Sequence, residues 1–422
     1  MNSQPNLDGT VVPHVKVGTP KFVEADQEIP YHVSDKVVVE GGMVASKRMN
    51  TLENLEQHAP DLAFELPDGK PVVRLGLILT LYFKRGYTND TKKNVLACFR
   101  RFYEEYQSQL KCLVYGRHQK LTSANFEKAQ QAISKSGGNE EFSLFLGSAA
   151  DETEADEYSL SAMNSFEIHG DKLRSYIKLV MPWSILKETD GLSRFQAWAV
   201  YLCDQVNAEH GYGGLSSILP YDYHGYIPTE YQLAQQYFGL EVDSMPHASS
   251  IELLDTVKGV NWLTVLGESF VELLGGESSL RQAFSGRGDV EIVPYSTGLI
   301  IRAGEYPELG KIENGLPSSY VAVNKIVKQI RIPNPDQLHP YSPYGDGFEE
   351  ESTARWYARF DQDNGKTKTP ARLEAGQPCS VAGYWFSPAQ SASRRYFSQG
   401  EILPSFSGSN WGDTLWYWSG EE

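Results

Sequence analysis

No stretch of this chain approaches the roughly 18 consecutive apolar residues a membrane-spanning helix needs. Met1–Pro13 carries neither the basic nor the apolar segment of a secretion signal. Cysteine is scarce: Cys98, Cys112, Cys203 and Cys379 are scattered without CxxC spacing, which argues against a zinc site or a disulfide scaffold. Cys98 and Cys203 fall inside helical apolar patterns and read as small core residues. A cytoplasmic protein is expected. Positive charge is also short, with 38 Lys and Arg against 54 Asp and Glu, a net charge of −16 and a pI near 5.1. Nucleic-acid binders draw affinity from neutralising phosphates, so direct binding to DNA, RNA or anionic lipid is disfavoured. A cationic protein partner would instead be steered toward the chain, although solubility alone also explains an acidic composition.

What is present is a globular composition, 41% hydrophobic and 12% aromatic, on a chain long enough for two or three domains. Residues 1–70 read as an extended arm. Val72–Phe83 is apolar enough for a central strand. Thr88 or Asn89 can cap the helix that follows, where Val95, Leu96, Cys98, Phe99, Phe102, Tyr103 and Tyr106 recur at helical spacing. A strand over Leu110–Tyr115 closes the unit. The same order returns at Tyr176–Met181, Leu192–Glu209 and Leu215–Leu219. This suggests related strand-helix-strand subdomains at 71–170 and 171–332, or simply two copies of a common motif. Further helices are expected at Pro228–Gln236, Trp262–Leu274 and Ser318–Lys328, with a strand over Glu291–Ala303 interrupted by turn residues. The pattern predicts a mixed α+β fold, sheets covered by helices. Pro, Asp, Gly and Glu dominate 333–352, a linker, and 353–422 reads as a small β-rich module holding five of the eight tryptophans.

Catalytic motifs are missing. There is no GxGxxG, GxxxxGK[ST], HExxH or GxSxG. Asp361–Gly365 resembles a calcium loop, but its glycine comes one residue early and Arg372 stands where the closing glutamate belongs. Arg287-Gly-Asp289 reads as a turn. His210, His224 and His247, with Asp222 and Asp243, lack metal-ligand spacing; His210, Asp222 and His224 are the trio a hydrolase would use. No cofactor is implied. Three stretches suit protein recognition: the solvated acidic loop with Asp151, Glu152, Glu154, Asp156 and Glu157, and two loops, His210–Ser216 with Tyr212 among glycines and Tyr221–Tyr226 with Asp222 and Tyr223, whose glycines equally fit tight turns and whose tyrosines equally fit the core edge.

Several segments together resemble a known family: Gly76–Phe83, His210-Gly-Tyr-Gly-Gly-Leu215, Glu230–Asp243, Lys258-Gly-Val-Asn-Trp-Leu-Thr-Val-Leu-Gly267, Pro294-Tyr and Gly298–Gly304. The chain looks like the TsiV-like immunity proteins of type VI secretion systems, associated with VRR-Nuc nuclease effectors, over roughly Val72–Ile332. Gly383–Ala389, Ser393-Arg-Arg, Gly400-Glu and Leu415-Trp416 resemble a module found with some of them. The resemblance implies a non-enzymatic inhibitor that binds a cognate toxin, a nuclease with a basic groove, and occludes that groove. A secretion adaptor is the alternative binding role. Within the signature, Gly259 is expected to make a tight turn, Asn261 to cap a helix, and Trp262, Leu263, Leu266, Phe270 and Leu273 to form that helix's apolar stripe.

Overall fold

The computed structural model describes residues 51–333, 335, 345, 347–361, 372–379, 382–387, 389–390, 393–406 and 414–420. Most of the expected arm, residues 336–344 of the expected linker, Gln362–Gly365 of the calcium-like tract and Trp411 lie outside them. In chain order the first half contains α1 (Thr51–His58), β1 (Phe64–Glu65), β2 (Pro71–Phe83), α2 (Asn89–Tyr106), β3 (Cys112–Tyr115), β4 (Arg117–Lys120), α3 (Ser123–Lys135), β5 (Ser143–Gly147), β6 (Ser159–Met163), β7 (Ser175–Pro182), α4 (Gly191–Val206) and β8 (His210–Ile218). There follow α5 (Ile227–Gln236), α6 (Pro246–Glu252), β9 (Leu263–Gly267), α7 (Glu268–Leu273), α8 (Gly276–Ala283), β10 (Val290–Tyr295), β11 (Gly298–Ala303), α9 (Ser318–Val327) and α10 (Glu350–Tyr357). The C-terminal part adds β12 (Arg372–Glu374), β13 (Gly383–Phe386), β14 (Arg395–Phe397) and β15 (Leu415–Gly420).

Eleven strands make one antiparallel sheet in the order β10-β11-β9-β8-β2-β7-β6-β5-β3-β4, with β1 pairing to β2. β2 lies near its middle because Leu77, Leu79 and Leu81 on one face and Ile78, Thr80 and Tyr82 on the other are all buried. Both β7 and β8 run antiparallel to β2. They are therefore parallel to each other, joined by the α4 crossover. The two strand-helix-strand units thus share one sheet, with β2 and β7 side by side. Helix α2 starts where the sequence places its cap, the Thr88 hydroxyl accepting from Thr91 N at 3.3 Å. It buries Val95, Leu96, Cys98, Phe99, Phe102 and Tyr106.

Two local expectations are corrected. His210–Ser216 is not a loop but part of β8, buried along its length. Trp262–Leu274 is not one helix: Leu263–Gly267 is a strand paired on both sides, to β8 and β11, and only Glu268–Leu273 is helical. A short apolar run fits either element, and here the two free edges beside it decide. Leu273, expected in the buried stripe, is 64% exposed. The interrupted strand expected over Glu291–Ala303 is a hairpin, β10 and β11 turning at Ser296 and Thr297.

The chain divides into two compact units between Arg359 and Phe360. Helix α10 belongs to the first: Phe348, Trp356 and Tyr357 pack with Ala234, Val242 and Leu253. The second unit is a four-stranded sheet in the order β12-β15-β13-β14 over Trp385, Trp416, Phe397, Cys379 and Leu403. The whole is mixed α+β.

Candidate functional site

Alternation along β7 sets the site. Ile177, Leu179 and Met181 are fully buried, while Tyr176, Lys178 and Val180 point to the opposite face. Across the sheet Phe145, Ser161, Lys178, Thr80 and Tyr212 stand in one cross-strand row. Over this row opens a cleft of about 590 Å³, walled by residues 219–224 and 244–247.

Two of the recognition segments expected from the sequence meet here. Asp222 N donates to Glu152 O at 2.8 Å, Ala155 bridges to Pro220, and the Tyr221 ring meets Phe145 edge-on at 5.3 Å. Their carboxylates have unequal fates. Asp151 pairs with Lys70 at 3.1 Å, and Arg74 takes Glu157 at 2.6 Å and Glu154 at 3.9 Å. Hydrogen bonds, foremost from the Thr153 hydroxyl, hold the Asp151 carboxyl down at about 2. Asp156 is not part of a solvated loop. It is 3% exposed, accepts from Ala149 N at 2.7 Å, and burial pushes its pKa up to about 7. Glu152 and Asp222 remain exposed at the cleft, without an ion pair among the described residues. Tyr221 is 42% exposed, and Tyr223 and Tyr226 are half-buried. Tyr212, expected at the surface, is 2% exposed; β8 turns it into the interior.

Beneath the cleft lies a buried polar network that explains the family-like segments. Asp243 accepts from Thr80 Oγ1 at 2.7 Å and Tyr212 OH at 2.6 Å, and pairs with Lys178 at 3.0 Å. Glu230 accepts from Asp243 N at 3.2 Å and Ser244 Oγ at 2.6 Å; burial raises its pKa. Glu241 is held by Lys258 at 2.9 Å, Asn261 Nδ2 at 2.9 Å and Arg359 at 3.5 Å. Three carboxylates thus sit with three cations, Lys178, Lys258 and Arg359, a balanced set that burial demands. Asn261 is therefore not a helix cap: its Oδ1 accepts from Trp262 N at 2.7 Å and presses on β8, where a Cβ on Gly214 would come within 2.1 Å of it. Gly259, two residues before Asn261, has φ +149°, a backbone conformation that L side chains rarely adopt, without forming the expected tight turn. Trp262 is fully buried, stacked on Phe195 at 5.7 Å, its Nε1 donating to Gly304 O at 3.2 Å.

The trio His210, Asp222 and His224 does not assemble. Asp222 and His224 line the cleft, whereas His210 is fully buried outside its lining, stacked on Tyr82 at 4.9 Å, with Nε2 donating to Leu253 O at 2.9 Å. Burial lowers its pKa to about 4, so it is neutral. Among the described residues no group of three or more His, Cys, Asp and Glu is placed to hold a metal, and no helix is long and apolar enough to cross a membrane.

Sequence reasoning missed Lys178, Glu230, Glu241 and Arg359. Lys178 carried a signal, a lysine alternating with Ile177 and Leu179 in an otherwise apolar strand.

A family model described as type VI immunity for VRR-NUC, TsiV, matches residues 94–360. The Pseudomonas aeruginosa T6SS protein PA0821 is similar in fold, with a TM-score of 0.64 and 20% identity over 75% of this chain and 92% of that one. A comparison with curated proteins finds no match. A match over more than half its length, through the segments that build the buried network, places the chain in the TsiV family of type VI immunity proteins.

Proposed function

We propose that this protein neutralises a cognate VRR-NUC-type effector in the cytoplasm by binding it, with the cleft-bearing face of the first unit laid over the effector's basic nucleic-acid groove. The observation that carries this is the selective freedom of Glu152 and Asp222. Neighbouring Asp151, Glu154 and Glu157 are all satisfied by Lys70 and Arg74, while these two face solvent unpaired at the mouth of a cleft. A nuclease collects Lys and Arg along its groove to neutralise phosphates. A protein of net charge −16 competes for that groove, gaining association rate from its field and specificity from matched charges. Neither nucleic acid nor membrane is a partner in this reading. A catalytic role through His210, Asp222 and His224 loses its geometric basis, since His210 is buried away from the other two.

The test is co-expression with the neighbouring toxin, scored by survival, followed by co-purification at low and high salt. Protection with a stoichiometric complex that weakens at high salt is the expected result. A complex without protection would make the protein a secretion adaptor instead, and no complex at all would remove the immunity reading.

A further inference from the structure

Four vacant groups of the cleft can all accept hydrogen bonds. Glu152 and Asp222 offer unpaired carboxylates. Ser159 lines the floor at 5% exposure, yet its hydroxyl has no hydrogen-bond partner among the described residues, and the Ser161 hydroxyl beside it has none either. Lys178 offers nothing to an anion, because its ammonium is taken by the Asp243 carboxylate at 3.0 Å and the Asp243 carbonyl at 2.7 Å. An anionic guest would meet two bare carboxylates, whereas a guest rich in N–H donors would satisfy both carboxylates and both serine hydroxyls.

Among protein side chains arginine fits best. Its guanidinium carries five donors and no acceptor, pairs with carboxylates through parallel hydrogen bonds and lies flat on tyrosine rings. Tyr221 is exposed at the rim and held by its edge-on contact with Phe145. A lysine ammonium is a compact, strongly hydrated charge that uses the carboxylates but neither the ring nor a bidentate geometry. The volume of about 590 Å³ exceeds what one side chain needs and accommodates a loop tip.

We infer that the cleft is a socket for an arginine presented on a loop of the effector, its guanidinium taken by Glu152 and Asp222 and its flanking peptide N–H groups by the Ser159 and Ser161 hydroxyls. This rests on the immunity reading and specifies its central contact.

The experiment is calorimetric titration with the catalytically inactivated effector. Glu152→Gln/Asp222→Asn is expected to weaken binding about 30-fold or more, and Ser159→Val about fivefold. A control, Glu104→Gln/Glu127→Gln, removes the same charge from exposed sites on α2 and α3 outside the cleft and should stay within about threefold. Pairing Asp222→Asn with single Arg→Ala changes across the effector should reveal one arginine whose loss is strongly non-additive. Cleft variants that bind like the wild type, or losses matched by the control, would overturn the socket. Coupling to a lysine, or to no arginine, would overturn its occupant. Failure of the unmodified protein to bind would instead strike the immunity reading itself.

Discussion

Asp156 is the residue whose burial has the clearest measurable consequence. In the folded chain its carboxyl holds a proton up to about pH 7, while an unfolded aspartate releases it near 4. Between those values the folded state binds more protons, so this group's contribution to stability falls as pH rises through the window and is flat above it. Asp156→Asn keeps an acceptor for Ala149 N and removes the buried charge. Its melting temperature should exceed the wild type's by about 3 °C or more at pH 8, with the gap closing at pH 5; a pH-independent gap would refute the assignment. His210 acts in the opposite sense. Its depressed pKa stabilises fully above about 6.5, and the benefit is lost as pH falls toward 4. Trp262→Ala should cost about 3–5 kcal/mol in chemical denaturation, because the indole is fully buried against Phe195. An unchanged midpoint would show the site to be plastic. That Trp262 is core was legible in the sequence. Its place ahead of a strand was not, since Leu263–Gly267 gained that form from β8 and β11 on either side.

At the scale of elements, the buried network clips the Glu230–Asp243 segment and the Lys258–Trp262 segment to β8 and β7. Lys258 joins them: besides Glu241 its ammonium donates to Val242 O and stands 4.5 Å over the Tyr212 ring. Lys258→Met removes one partner from a buried charge and should cost about 3–5 kcal/mol. Circular dichroism melts would read the loss, and a variant as stable as wild type would mean Arg359 and Asn261 satisfy Glu241 alone. The sequence displayed Lys258-Gly-Val-Asn-Trp and His-Gly-Tyr-Gly-Gly as separate motifs. Their contact, Asn261 against Gly214, joins positions 47 residues apart that local pattern cannot relate.

For the whole molecule, the division at Arg359 and the end of the family match at residue 360 nearly coincide. A chain ending at Arg359 retains α10 and the Arg359 contact with Glu241, and should fold and protect against the effector. A chain ending at Gly347 loses Phe348, Trp356 and Arg359, and should melt well below it. Equal melting of the two would show that α10 is dispensable. Toxicity unrelieved by the longer chain would give the C-terminal module a direct part in binding.

Composition and periodicity by themselves determined an acidic α+β protein with β2, α2, β7 and α4 nearly in place, because those elements are long, strongly apolar and capped by local residues. Resemblance in short motifs pointed to the family. Tertiary structure alone decided which carboxylates are free. Asp151, Glu152, Glu154, Asp156 and Glu157 are near neighbours in sequence, yet ion pairing to Lys70 and Arg74 uses three, burial takes Asp156, and Glu152 alone is left to open beside Asp222. Charge and burial at a side chain depend on what the fold brings against it from far along the chain, and that information is not local to any window of sequence.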